Sequence, residues 1–336
     1  METDIRKPFL IPGYFLKEVV FESPPHIIYA ANRETDGENV IIKTLKAKFP
    51  SRESLASLKR EFRIASKLNF DGVIAIHELV SFENDNLAII MERFGISLGE
   101  YANSFPNKII PINPFLQIAV SLVKILGRVH HAKVIHKDIV PGNILIDPET
   151  LTLRITDFSA SSELSWEFQP NVLTNKIEGS LPYMSPEQTG RINRDVGYRT
   201  DFYSLGVVFY QLLTGQLPFK GGDALEWIHY HISKEPKPLY QVNIKIPRML
   251  SGIVKKLLAK NAEDRYQSSF GLSTDLEKCQ AEISKGLFDF NFELAQSDFS
   301  SQFQIPQKLY GREKELEKLQ SYFEKVRLGA VEFCLV

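Results

Sequence analysis

The stretch from Val134 to Ser159 constrains this chain more than any other. It reads Val134-Ile135-His136-Lys137-Asp138-Ile139-Val140-Pro141-Gly142-Asn143-Ile144-Leu145-Ile146, then a turn, then Leu153-Arg154-Ile155-Thr156-Asp157-Phe158-Ser159. Short apolar β-type runs bracket a polar turn, which predicts strands with Asp138, Asn143 and Asp157 at their ends. Asp138 and Asn143 stand five apart with Pro141 and Gly142 between them, so one loop can present both side chains to one point. Asp157 arrives on the hairpin that follows. Two carboxylates and an amide form an oxygen-ligand set suited to Mg²⁺, with one carboxylate left to orient a hydroxyl. Asp138 and Asn143 taken singly are also ordinary turn formers, so the reading rests on what flanks them.

The segment resembles the catalytic loop and metal-binding motif of eukaryotic-type Ser/Thr protein kinases. His136-Lys137-Asp138 stands for His-Arg-Asp, Asn143 for its partner, and Asp157-Phe158-Ser159 for Asp-Phe-Gly. The likeness extends over residues 10 to 283. Its details are most similar to the kinase domain at the front of large bacterial signalling proteins, where a P-loop ATPase region follows. The resemblance implies a bilobal α+β fold, with a small antiparallel sheet and helix C over residues 1–92 and a mainly helical lobe over 93–284. It also implies ATP and Mg²⁺ as cofactors and a Ser- or Thr-bearing protein as substrate. In that reading Asp138 orients the hydroxyl, Asn143 and Asp157 hold metal, and His136 supports the loop.

Upstream, Tyr14 to Phe21, His26 to Ala31 and Asn39 to Leu45 read as a small antiparallel sheet, with Thr35-Asp36-Gly37-Glu38 as a hairpin turn. Lys43 ends a β-branched apolar run. By itself it reads as an exposed charge; on the resemblance it pairs with the α and β phosphates. Leu55, Leu58, Phe62, Ala65 and Leu68 then recur at helical spacing with Glu61 beside them. Glu61 matches the helix C glutamate that holds the lysine. Ile74 to Val80 and Asn86 to Met91 predict two further strands, and Glu92-Arg93-Phe94 resembles the hinge between lobes, with Met91 as gatekeeper. Met91, Glu92 and Phe94 are therefore expected around adenine. Where a glycine-rich phosphate loop belongs, the chain reads Phe21-Glu22-Ser23-Pro24-Pro25-His26-Ile27-Ile28. Two prolines remove two backbone donors that could face phosphate.

In the larger lobe Asn113-Pro114 predicts a helix start with Asn113 as N-cap, and an apolar stripe from Phe115 to Val129 runs into His130-His131. Adjacent histidines face different sides of a helix, which argues against a metal pair. Lys137 replaces the arginine that receives an activation-loop phosphate in the family, losing its bidentate fork. Val140 stands where Ser/Thr kinases carry a lysine on the transferred phosphoryl group, and Gly142 where tyrosine kinases carry an arginine. A missing electrostatic donor of this kind costs about a hundred- to a thousand-fold in rate. This departure and the glycine-free loop keep open a second reading, a pseudokinase serving as a regulatory module. Residues 160 to 179 read as an activation segment ending in Ser185-Pro186-Glu187, the family's Ala-Pro-Glu. On the resemblance Glu187 pairs with Arg265, and Asp201 holds the catalytic-loop backbone from the start of an apolar helix capped by Gly215. Arg191, Asn193 and Arg194 form a short basic patch that suits a partner surface.

Three more helices are expected up to Ser284, then a linker with docking aromatics over 285–308. Residues 309–336 resemble the entrance of an ATPase domain without its phosphate-binding glycine loop, so a fragment and downstream ATPase or signalling domains are expected. A formal net charge of −1 gives no global pull toward nucleic acid. The two cysteines, Cys279 and Cys334, form no framework. No apolar run of membrane-spanning length and no signal-peptide layout are read, so the expectation is a cytoplasmic domain without membrane insertion.

Overall fold

A computed structural model describes residues 9–163, 179–191 and 194–299, together with Lys318, Ser321, Tyr322 and Lys325. The first lobe is built on strands β1 (Tyr14–Ser23), β2 (His26–Arg33), β3 (Asn39–Leu45), β4 (Ile76–Phe82) and β5 (Asn86–Glu92), with helix α1 (Arg52–Lys67) between β3 and β4. They form one antiparallel sheet in the order β1-β2-β3-β5-β4. Strand β5 is buried from Asn86 to Met91, because both faces of the sheet are covered. Leu87, Ile89 and Met91 pack with Leu45 and Leu58 of α1, whereas Ala88 and Ile90 pack with Phe9, Ile11 and Tyr14 from the start of the chain. The alternation follows from the two-residue period of a strand.

The second lobe begins with β6 (Ile96–Ser97) and α2 (Leu98–Asn103), whose Ser97 and Glu100 form a capping box. There follow α3 (Ile112–His131), β7 (Val134–Ile135), β8 (Ile144–Ile146), β9 (Leu153–Ile155), β10 (Ser162–Glu163) and α4 (Arg199–Thr214). Helices α5 (Ala224–Ser233), α6 (Leu239–Val242), α7 (Arg248–Leu257) and α8 (Ser269–Ser284) complete it. Strands β6, β8 and β9 form one small sheet, and β7 pairs with β10. Helix α4 is buried on almost every side, which explains its near-continuous apolar sequence. The architecture is a bilobal α+β fold with an antiparallel sheet lobe and a helical lobe.

Several local expectations change. Helix α3 starts at Ile112 behind Pro111, so Asn113 lies inside the first turn and caps nothing. Helix α3 is long and apolar enough to cross a membrane by length and composition, yet its Phe115, Leu122 and Val129 are enclosed in the core. Four helices, not three, follow Leu217, because the single turn of α6 is docked by Leu239. Within α1 the buried face runs through Leu58, Glu61, Ile64 and Ala65, which puts Glu61 in the stripe instead of beside it and leaves Leu55 and Phe62 half-buried. The stretch expected as a linker is packed over its first part. Phe290, Phe292 and Leu294 lie against the core, and Asp298 accepts from Gln267 N–H at 2.7 Å and from Ser268 Oγ–H at 2.7 Å.

The chain divides into units at Phe299 and Ser300. In the second unit the described Lys318, Ser321, Tyr322 and Lys325 are helical, with Ser321 Oγ–H donating to the Lys318 carbonyl at 2.7 Å. The expected activation-segment residues 164–178, Asn193, the helix start at 309–316 and the strand at 331–336 lie outside the described residues.

Candidate active site

Strand β3 lies between β2 and β5, and Lys43 points from it toward α1. Its Nζ donates to Glu61 Oε1 at 2.7 Å and to Asp157 Oδ1 at 2.9 Å, so residues far apart in sequence meet at one ammonium. Burial works against a charged Lys43, which is 3% exposed, but the charges of Glu61 and Asp157 outweigh it and hold its pKa above the ordinary lysine value. Burial likewise works against a charged Asp157. The charge and hydrogen bond of Lys43, with the Ser159 N–H, hold that carboxyl well below its usual range. For Glu61 burial is the larger effect and raises the carboxyl, and its Oε2 has no partner among the described residues.

Asp157 adopts a left-handed conformation, φ 62°, which aspartate tolerates better than most residues. That turn sends Phe158 into the core, 1% exposed, with its ring 4.8 Å from that of His136. Oδ1 of Asp157 is taken by Lys43 and Ser159, whereas Oδ2 makes no hydrogen bond among the described residues.

The catalytic loop is held from below by one carboxylate. Asp201, at the start of α4 and fully buried, accepts from His136 N–H at 2.9 Å, Lys137 N–H at 2.7 Å and His130 Nε2 at 2.8 Å. Burial would raise its carboxyl, and these donors reverse the sign and keep it low. His130 therefore has a structural partner, and His131 is exposed. His136 bridges the loop: Nε2 lies 3.1 Å from the Thr156 carbonyl, which can only accept, so Nδ1 is the acceptor for Asp138 N–H at 3.3 Å. Asn143 Nδ2 donates to the Asp138 carbonyl at 3.0 Å and to Asp138 Oδ2 at 3.1 Å. With its nitrogen committed, Asn143 has its amide oxygen left as a ligand. Oδ1 of Asp138 accepts from Ser180 N–H at 2.8 Å. This approach needs glycine at 179, where φ is +100° and an added Cβ would stand 3.0 Å from the Lys137 carbonyl.

The end of the activation segment is tied down by ions. Arg265 Nη1 and Nη2 reach the two oxygens of Glu187 at 2.6 and 2.8 Å, a bidentate pair with Arg265 fully buried. Thr200 Oγ1–H adds a third bond to Glu187 at 2.8 Å. Burial opposes the Glu187 charge, and Arg265 more than offsets it, so the carboxyl stays low.

At the expected hinge, Met91 lies opposite Ile41 of β3, two residues before Lys43 and so on the Lys43 face of the sheet. Glu92 N–H donates to the Ala75 carbonyl at 2.9 Å, and Glu92 Oε1 accepts Ala75 N–H at 2.7 Å. The Arg154 guanidinium stands 4.9 Å from the Phe94 ring, so the Glu92 and Phe94 side chains brace the joint to β9. The expected phosphate loop is a tight turn instead: Ser23 pairs directly with His26 across Pro24-Pro25. His26 at its base feels the positive charge of Lys43, and burial together with that charge lowers its pKa to about 4.

Sequence reasoning missed five contacts. Arg60 donates to the Ser159 carbonyl at 3.1 Å and Lys67 pairs with Glu163 at 2.6 Å, tying α1 to the start of the activation segment. The basic spacing of Arg60, Arg63 and Lys67 along α1 was the available signal. Gln188 Nε2 donates to the Lys137 carbonyl at 2.8 Å. His231, 1% exposed, sits between the Tyr203 hydroxyl at 2.9 Å and the Leu181 carbonyl at 2.9 Å, and nothing in its local sequence marks it.

Residues 27–275 match the family described as protein kinase domain. Similar proteins include the hybrid signal transduction histidine kinase G of Dictyostelium discoideum, 31% identical over 68% of this chain and 9% of that protein. The serine/threonine-protein kinase PrkC of Bacillus subtilis is 30% identical over 74% of this chain and 38% of its own length. PknA of Mycobacterium tuberculosis is 31% identical over 69% of this chain and 53% of its own length. The chain thus spans from about a tenth to about half of these curated relatives. With most of its length matched, and with Glu61 and Asp157 meeting at the buried ammonium of Lys43 beside the loop of Asp138, this chain belongs to the protein kinase domain family.

Proposed function

We propose that this domain transfers the γ-phosphoryl group of ATP to a Ser or Thr hydroxyl of a protein substrate. The observation that carries the reading is the Lys43 ammonium held between Glu61 and Asp157, charged and buried. The donor set fits the implied metal: Asp157 is ionised with Oδ2 uncommitted, and Asn143 has its amide oxygen left over. Mg²⁺, when bound, supplies charge neutralisation across the phosphates. Lys43 would hold the α and β phosphates, with Glu61 fixing its position. Asp138, braced by Asn143 and Ser180, would orient the acceptor hydroxyl and take its proton. Backbone groups at Glu92 and Phe94 would meet adenine, with Met91 closing the back of the cleft. The preference for Ser or Thr follows the serine/threonine-protein kinases PrkC and PknA.

One observation favours a second reading, a regulatory module without transfer: the β1–β2 hairpin closes at Ser23 and His26 with two prolines between, offering no run of amides to phosphate. We also read residues 309–336 as the entrance to a P-loop ATPase-type region and place the domain in a larger signalling protein, consistent with the hybrid histidine kinase of which the match spans 9%. The experiment is transfer of labelled phosphate from Mg-ATP to the protein itself and to a generic protein substrate, with Asp157→Ala as control and ATP binding measured separately. Label that transfers and vanishes in Asp157→Ala, and on chelation of Mg²⁺, upholds the kinase. Binding without transfer upholds the regulatory module.

A further inference from the structure

A cavity of about 370 Å³ opens directly beside the catalytic loop, between α2, the turn at residues 106–108 and the end of the activation segment. It is one hydrogen bond from the catalytic carboxylate, because Ser180, which lines it, donates its N–H to Asp138 Oδ1. Val140, Pro141 and Gly142 form its inner wall without a charge, and no carboxylate is among the described residues that line it.

What the pocket offers is donors. Gln211 Oε1 is taken by the Tyr183 hydroxyl at 2.6 Å, which leaves the Gln211 amide nitrogen as its remaining group. Among the described residues of the lining Lys108 is the only charged side chain, and it makes no ion pair with any described residue. Its backbone is held unusually. Asn107 and Lys108 both lie in the left-handed region, φ 55° and 60°. Consecutive non-glycine residues persist there only when their surroundings impose it. Here the Asn107 carbonyl presses on Gly215, where an added Cβ would stand 2.1 Å away, and Ile110 N–H is tied to the Leu212 carbonyl at 3.0 Å. The turn that carries Lys108 to the pocket is therefore pinned to the end of α4.

We propose that this pocket is a specificity site that takes an acidic side chain, Asp or Glu, of the protein substrate near the phosphorylated hydroxyl, with Lys108 as its recognition cation. A carboxylate only accepts hydrogen bonds, and it matches a site of one ammonium and amide donors. A lysine or arginine of the substrate would meet Lys108 with no carboxylate to offset the repulsion. The inference rests on the phosphoryl-transfer reading above.

The test uses the full chain with Mg-ATP and a peptide set bearing one Ser acceptor in an alanine background, with Asp, Ala or Lys placed in turn at each neighbouring position. At one or two positions Asp is expected to raise kcat/KM about five-fold over Ala, the scale of a partly exposed ion pair, and Lys to lower it. Lys108→Glu is expected to reverse that order and Lys108→Arg to keep it. The readout is a ratio between peptides, so a loss of folding or turnover common to all of them cancels. Equal rates for Asp and Lys peptides, a preference for Lys, or an Asp preference that survives Lys108→Glu would overturn the proposal. If neither peptides nor a generic protein acquire label, the kinase reading has failed and the pocket is read by binding. Fluorescein-labelled Asp and Lys peptides are then titrated by anisotropy. Tighter binding of the Asp peptide, lost in Lys108→Glu, upholds the pocket, and equal binding overturns it.

Discussion

The catalytic loop and the β1–β2 hairpin border the same charged cluster, and they are built on opposite principles. The loop is over-determined. Asp201 alone holds three donors, His136 bridges Thr156 to Asp138, and Asn143 returns two bonds to Asp138. The hairpin closes on a two-residue turn, carries Val20 and Phe21 more than half exposed, and reaches the cluster only through the neutral imidazole of His26. The difference teaches where function is stored in this domain. Groups that hold a charge or an angle are locked by distant partners, and the hairpin, which carries few such groups, departs furthest from the pattern of the family.

The sharpest way to break that comparison is to remove the locked charges. Asp138→Asn or Asp157→Ala is expected to lower phosphoryl transfer by about a thousand-fold or more, measured with labelled ATP, with the fold retained by circular dichroism. If either variant kept most of the activity, the floor would not be the seat of the chemistry. Next in size is the buried ion pair. Arg265→Met leaves Glu187 charged and unpaired, and is expected to cost about 3 to 5 kcal/mol in urea unfolding.

Acid should find a third weak point in the locked floor, at His231. Because the Leu181 carbonyl can only accept, Nε2 carries a proton, and in the neutral ring that burial favours Nδ1 accepts from the Tyr203 hydroxyl. Burial, aided by Lys260, lowers its pKa from 6.5 to about 4. The unfolded chain then binds the proton more readily, so this contribution is full above pH 6.5 and drains as pH falls toward about 4. The loss is on the order of 3 kcal/mol at most. His26, lowered for similar reasons, acts in the same direction. The depressed carboxylates of Asp157, Asp201 and Glu187 give way only at still lower pH. Urea midpoints at pH 7 and 4.5 compared with those of His231→Gln check it: the variant should show a shallower pH slope.

Two gains of function would sharpen the comparison. Val140→Lys restores a cation at the developing charge and is expected to raise turnover about ten- to a hundred-fold with little change in the KM for ATP. Replacing Pro24 and Pro25 by glycine should move the KM for ATP by only about two- to five-fold and leave kcat nearly unchanged, since each regained amide contributes at most one hydrogen bond. A larger effect from the hairpin than from Val140 would mean that the roof, not the floor, limits this domain.

Much of the floor was legible because its residues sit close in sequence and carry chemistry in their spacing. Asp138, Asn143 and Asp157 lie within one loop and the hairpin that follows it, and strands β1 to β3 and β5 start at Tyr14, His26, Asn39 and Asn86 as the apolar runs and turns predict. The misreadings were of context. Asn113 has the chemistry of a cap, but the helix already starts behind Pro111, two residues earlier. Glu61 looks like a side residue of an apolar stripe until Lys43 arrives from another element to make its burial tolerable. His231 and the α1 contacts to Ser159 and Glu163 involve partners 28 to 99 residues away, which no local pattern encodes.

The sequence by itself determined the order of the elements, the loop that gathers Asp138 and Asn143, and the absence of amide donors at the hairpin, because these depend on period, turn chemistry and residue type. Only the tertiary structure decided which charges survive burial. A lysine, two glutamates and an aspartate are all poor candidates for a protein interior. Lys43, Glu61, Glu187 and Asp201 are tolerated there because partners from distant elements, half-buried Asp157 among them, arrive within hydrogen-bond reach and repay the lost hydration.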